Sequence, residues 1–341
     1  MLDVGAVGRT VRWVVGGLAA ELAVKVLPGS AVSPPLDAVY HGQLAVVTGA
    51  TGGVGAYVSL GLAARGFTVC VAARDRRAGE ALVLSIRRQG GRAMFLELDL
   101  EATPADVARA LSGKRLALLV NNAGTMGGQV GRTMRVNLCG PAALTLALLP
   151  SLCAGGGRIV NVGSSSHLRA GAVCLSASDT SKDTSLRAYA QSKLGMMHLS
   201  LLLRDGCADR VTVHDCHPGI VWTPMLRNHF GPSLCAVLQR AGLAPRLFRS
   251  PEQGAATVLW AALAPAAPTQ LGGRRSKRPR GRQHAYFANC RRNSGWAVSP
   301  QSTDRTKAVG TWRWLVEAEP SLVGLAASAG VAESFNDEAH D

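Results

Sequence analysis

Between residues 43 and 273 short apolar runs alternate with helical patterns, and no other feature limits the fold of this chain so strongly. The runs are LAVVT (44–48), FTVCVA (67–72), AMFLEL (93–98), LALLV (116–120), RIVNV (158–162) and RVTVHD (210–215). Continuous apolar runs of this length read as strands buried on both faces, and segments such as AGEALVLSIRRQ between them have helical spacing. A repeated strand–helix order predicts an α/β architecture, a doubly wound parallel sheet with helices on both sides. There is no internal repeat.

The first strand runs into TGATGGVG, Thr48 to Gly55, and then into a helical segment. A glycine fingerprint between strand and helix is the context in which backbone cradles a pyrophosphate. Gly49 suits the tight turn, Gly53 a close approach to phosphate, and Gly55 close packing of helix on sheet. Thr51 and Val54 complete the loop. The phosphates would meet the free N–H groups and positive dipole end of the helix. The second strand ends VCVAARDRR, placing Ala73 where an NAD site commonly offers an acid, followed by Arg74. A guanidinium forks onto phosphate oxygens, so this end favours the 2′-phosphate of NADP(H), with NAD(H) second. Arg76 and Arg77 read as a solvated helix start.

Further motifs follow in order. NNAG (121–124) comes directly after the fourth strand, serines 164–166 end the fifth, and Tyr189 and Lys193 stand four apart on the next helix. HPGIVWTP closes the sixth strand with Pro218, Gly219 and Thr223. Ligands of doubly wound sheets bind at strand C-terminal ends, so these pieces should meet in one crevice. A phenol ordinarily ionises about three units too high for a neutral-pH base. An ammonium one helical turn away is expected to lower that value.

This ordered set resembles the short-chain dehydrogenase/reductase superfamily, over about residues 43–273. The spacing and PG motif favour its ordinary branch over the extended, epimerase-type one. AYAQSKL, HPGIVWTPM and PEQGAATVLWAAL are similar to the retinol-dehydrogenase-like group. The resemblance implies a Rossmann-type sheet and an NADP(H)-dependent enzyme acting on CH–OH groups. The substrate expected is a lipophilic alcohol or carbonyl of polyprenol, retinoid or steroid type. It implies Tyr189 as general acid/base, Lys193 on the nicotinamide ribose, Ser164 on the carbonyl oxygen with Ser165 as runner-up, and Asn137 anchoring a relay water. Thr48, Asp99, Asn121, Ala123 and Gly124 join the cofactor set. No metal is expected.

Two departures stand out. The segment between NNAG and Asn137 is shorter than the family carries. After QLGG (270–273) a basic run, RRSKRPRGRQ, replaces the family's aromatic final strand. The final strand is therefore expected to be absent or altered, with 274–341 a poorly ordered basic tail. This opens a second reading, a catalytically idle cofactor-binding or interaction protein. Residues 225–248, apolar and basic without an acid, fall where the family keeps its substrate lid.

The chain carries +15 net charge over 341 residues, which permits attraction to phosphate, nucleic acid or anionic membrane. Without aromatic interleaving or a nucleic-acid motif, no nucleic acid is expected. Eight cysteines show no CxxC or regular framework, so neither disulfides nor a metal site is predicted. Residues 1–40 form an apolar leader and Pro-rich linker. Arg12, Glu21 and Lys25 make 11–27 a poor spanning helix, leaving a membrane-surface anchor or a packed leader helix. The resemblance places the enzyme on the cytosolic side of endoplasmic reticulum or lipid-droplet membrane, or else in the cytoplasm, and admits a homodimer.

Overall fold

The computed structural model describes residues 40–102, 107, 110–111, 114–171, 173, 182–207, 210–264, 285–293 and 298–335. The leader, most of its linker and the basic run 274–283 lie outside the described residues.

Strand β1 (Leu44–Thr48) is wholly buried and leads into helix α1 (Gly53–Ala63). Then come β2 (Thr68–Ala73), α2 (Arg76–Arg88), β3 (Arg92–Glu97) and β4 (Leu116–Asn121). Helix α3 (Val130–Gly155) contains a π-helical turn at Arg135–Cys139 and precedes β5 (Arg158–Val162). Helix α4 (Lys182–Cys207) carries the Tyr–Lys pair and returns to β6 (Thr212–His217). Helices α5 (Pro224–Arg240), α6 (Ala244–Leu247) and α7 (Pro251–Leu263) follow, then β7 (Ala285–Ala288) and β8 (Arg291–Asn293). The chain ends in α8 (Arg305–Ala318) and α9 (Ser321–Ser328).

The strands form one sheet in the order β3-β2-β1-β4-β5-β6-β7-β8. Pairing is parallel through β7 and antiparallel between β7 and β8. Strand order reverses between β1 and β4, and this switch point opens the crevice. Alternate residues of β1 point to opposite cores. Ala45 and Val47 pack under α1, α2 and α7, whereas Leu44 and Val46 face α3, α4 and the C-terminal helices. Burial on both faces explains the unbroken apolar runs.

At the C-terminus the final strand is altered rather than absent, and the expectation of a loose tail is corrected. The final parallel strand is present: Ala285–Ala288 pairs beside β6 from Ala285↔His214 to Ala288↔His217. Tyr286 and Phe287 supply its apolar side chains on opposite faces, the role that the sequence comparison found missing at 274. The strand is displaced along the chain by the basic run. Residues 298–335 are not a loose tail either. Val309, Trp312, Leu315, Leu322 and Phe335 are buried in the main core. Trp312 packs edge-on against Phe335 at 4.7 Å, and Thr311 Oγ1 lies 2.7 Å from His198 Nδ1 on α4. Widely spaced apolar residues had hidden this helix in a basic, weakly periodic sequence.

Among the described residues one helix, Val130–Gly155, is long and apolar enough to cross a membrane, but 67% of its apolar window is buried in the fold. It is the core helix beneath β4 and β5.

Candidate active site

The C-terminal ends of β1 to β6 open into one cavity of about 920 Å³. It is lined by Gly49, Thr51, Gly53, Val54, Arg74, Asp99, Ala123, Gly124, Ser164, Tyr189, Lys193, Pro218, Gly219 and Thr223, all anticipated from sequence. These residues come from distant positions, and the sheet brings them together.

Four anticipated residues support the cavity without lining it. Thr48 is fully buried, and its Oγ1 accepts the N–H groups of Asn122 and Ala123, each at 3.0 Å, fixing the NNAG turn. Gly55 lies so close to the preceding turn that a Cβ there would sit 2.3 Å from the Gly49 carbonyl oxygen. Asn121 turns into the sheet, donating to Thr145 Oγ1 at 2.9 Å and Asn161 Oδ1 at 2.8 Å. These three hold the floor of the cavity in shape.

Asn137 is the fourth. It sits in the π-helical turn, where Oδ1 accepts the Thr125 N–H and Nδ2 donates to the Thr125 carbonyl, both at 2.8 Å. Nδ2 also donates to Ser192 Oγ at 3.1 Å. The side-chain amide therefore clamps the loop after NNAG onto α4.

A dinucleotide fits the glycine end. No side chain caps α1, whose first turn thus presents unused N–H groups, and a Cβ at Gly52 would meet no atom within 4 Å. Gly49 has φ +60°, and a Cβ there would strike the Ala123 backbone at 2.7 Å, so the turn demands glycine. At the end of β2, Arg74 lines the cavity, while Arg76 is engaged with Glu97 at 2.7 Å and Glu80 at 3.5 Å outside it.

At the other end the reacting groups meet. The four-residue spacing on α4 brings Lys193 Nζ to 5.7 Å from the Tyr189 ring centroid, and both side chains are buried. Nζ donates to the Val162 carbonyl at 2.9 Å. Ser164 and Tyr189 both line the cavity, and the Ser164 hydroxyl favours the ionised form of the phenol. Ser164 Oγ also accepts the Ser166 N–H at 3.2 Å and lies 3.0 Å from Ser166 Oγ. His167 Nδ1 lies 2.6 Å from the Ser164 carbonyl oxygen and donates to it in the neutral ring, whose pKa burial pushes down to about 4. The sequence pattern gave this histidine no role, although it fixes the serine backbone.

The protonation balance departs from expectation. Burial is the largest influence on Tyr189 and raises its pKa above the ordinary phenol value, with the Ser164 hydrogen bond opposing. Burial also pushes Lys193 down to about 8. The ammonium expected to acidify the phenol is itself weakened by the same dry surroundings. Tyr189 is a phenol, and so a proton donor, at neutral pH.

An aromatic cluster outside the cavity packs on Leu226, which lines it. Trp222 stacks on Phe248 at 4.9 Å, and Phe230 packs on both. Thr223 Oγ1 caps α5 by accepting the Leu226 N–H at 3.4 Å, and α5 bends at Gly231, whose φ is +78°. Met225, Leu226 and Leu168 bring apolar surface into the cavity beside the serines.

Comparison with known proteins agrees with this layout. The family model described as short chain dehydrogenase matches residues 43–232. Mouse "Polyprenol dehydrogenase" is 38% identical over 253 residues, covering 68% of this chain and 75% of the relative. Mouse "Retinol dehydrogenase 12" is 31% identical over 303 residues, covering 83% and 87%. Among solved structures, a Pseudomonas aeruginosa RhlG/NADP active-site complex superposes with a TM-score of 0.53 at 25% identity, covering 67% of this chain and 92% of that one.

Proposed function

Because the chain belongs to the short chain dehydrogenase family, and is thereby an NAD(P)-dependent oxidoreductase, we propose that it interconverts a long-chain lipophilic alcohol and its carbonyl with NADP(H). The observation that carries this reading is one cavity lined by Tyr189, Lys193 and Ser164, by Arg74, and by the apolar side chains of Leu168, Ile220, Met225 and Leu226.

NADPH, when bound, supplies the hydride that reduces a carbonyl carbon. Gly49, Thr51, Gly53 and Val54 would hold its pyrophosphate, Arg74 its 2′-phosphate and Lys193 its nicotinamide ribose. The protein's part is to place and protonate the carbonyl. Ser164 donates a hydrogen bond to the oxygen as negative charge develops there. Tyr189, protonated at neutral pH, gives its proton to that oxygen, and in oxidation the phenolate takes it back. His167 keeps the serine backbone in place, and Asn137 keeps the loop after NNAG against α4.

The apolar lining supports the substrate class. Leu168, Ile220, Met225 and Leu226 face the cavity and suit an isoprenoid-like chain better than a sugar, and the names of the polyprenol and retinol relatives favour the same class. Val237 is exposed on α5 one turn before Arg240, and with a lipophilic substrate class this supports a membrane surface from which the substrate enters.

The test is a panel of polyprenyl, retinoid and steroid alcohols and carbonyls with both cofactors, followed by nicotinamide absorbance. Turnover of at least one long apolar pair with NADP(H) is expected. Turnover confined to small polar alcohols would reject the substrate class.

A further inference from the structure

The cavity's cofactor end holds an arrangement that the sequence did not suggest. Arg132, in the first turn of α3, lines the cavity opposite Arg74, and both guanidiniums converge on one carboxylate oxygen. Arg132 Nε lies 2.8 Å and Arg74 Nη1 3.5 Å from Glu101 Oε1. The Glu101 backbone is itself fixed, its N–H donating to Asp99 Oδ1 at 2.9 Å. From these contacts we propose that Arg74 and Arg132 form a two-armed clamp for the cofactor's ribose 2′-phosphate, with Glu101 as the internal counter-ion that the phosphate displaces. This rests on the NADP(H) reading above and adds a second specificity-determining residue to it.

The physical argument is one of charge and geometry. Two guanidiniums share one carboxylate, so the trio keeps a net positive charge. Both arginine side chains are about half exposed, at 60% and 46%, and the Glu101 contacts are correspondingly weak and replaceable. A phosphate monoester carries nearly two charges and three acceptor oxygens, enough to receive both guanidinium forks. A 2′-hydroxyl offers neither. Asp75 lies nearby but is turned to α2, where it accepts the Ala78 N–H at 2.9 Å. The arms reach from the two sides of the crevice, one after β2 and one on α3, and therefore close on a group between them.

The test uses equilibrium binding of 2′,5′-ADP and 5′-AMP to the full chain, with NADPH and NADH fluorescence in parallel. Arg132→Gln should weaken 2′,5′-ADP and NADPH by about tenfold, with about twofold or less change in 5′-AMP and NADH. Glu101→Gln should tighten 2′,5′-ADP several-fold, and the gain should vanish in the Glu101→Gln, Arg132→Gln double variant. All three side chains are partly exposed, so folding should survive. If Arg132→Gln leaves 2′,5′-ADP binding unchanged, or weakens 5′-AMP equally, the clamp is wrong while the cofactor assignment stands. If the wild type itself shows no preference for 2′,5′-ADP over 5′-AMP, the NADP(H) reading falls with it.

Discussion

Lys193 Nζ sits 5.7 Å from the centre of the Tyr189 ring and 2.9 Å from the Val162 carbonyl oxygen, which places the ammonium over the face of the phenol in a buried site. The direction of both shifts follows from burial, with the phenol held protonated and the amine eased towards neutrality. Carbonyl reduction, which consumes the phenolic proton, should therefore show little pH dependence of kcat/KM from pH 6 to about 8, whereas alcohol oxidation should rise steadily with pH. Rate profiles in both directions check this. A reduction rate that collapses above pH 7 would mean that the donor ionises much earlier.

The same burial has a stability consequence. Lys193 titrates near 8 in the folded chain and near 10.5 when exposed, so between those values the unfolded state binds more protons and stability rises with pH. The slope from this group is at most about 1.4 kcal/mol per pH unit. Denaturant melts of wild type and Lys193→Met across pH 7–10.5 should show that slope in the first and lose it in the second.

His167 acts in the acid range. Its folded pKa of about 4 lies below the ordinary 6.5, so the neutral-ring stability is complete above 6.5 and lost as pH falls towards 4. His167→Gln should reduce the loss of stability between pH 6.5 and 4 by roughly one proton's worth of slope. It should also lower kcat more than it raises KM, because the Ser164 carbonyl loses its 2.6 Å donor.

Much of this arrangement was legible in sequence because the responsible residues act locally. The β1 turn needs glycine at 49, the Tyr–Lys pair needs one helical turn, and a buried parallel strand needs an unbroken apolar run. What escaped depends on long-range geometry. The roles of Asn137 and Asn121 are set by partners at Thr125 and Asn161, respectively, which no spacing announces. The displaced position of the final strand escaped because its four residues stand beyond a basic run, and its identity comes from pairing with β6. Arg132 was invisible because only the fold puts it beside Glu101.

A buried ion pair braces the back of the site. Arg204 Nη2 lies 2.5 Å from Asp215 Oδ2, and Ser200 Oγ donates to Asp215 Oδ1 at 2.6 Å. Asp215→Ala should cost about 3–5 kcal/mol by leaving the guanidinium buried without its carboxylate. Urea midpoints at constant m-value measure this. A cost below about 1 kcal/mol would show that solvent reaches the pair.

The C-terminal helices are part of the core. Trp312 is buried between α4 and Phe335, and Trp312→Ala should destabilise the chain by about 3–5 kcal/mol in a single cooperative transition. A separate early transition, with the rest of the melt unmoved, would mean that α8 and α9 dock independently.

The account stands most directly on Tyr189 as the proton carrier. Tyr189→Phe should bind NADPH, by fluorescence, within about twofold of wild type while turnover falls by at least roughly a hundredfold. Wild-type turnover in that variant, with cofactor still bound, would contradict the assignment.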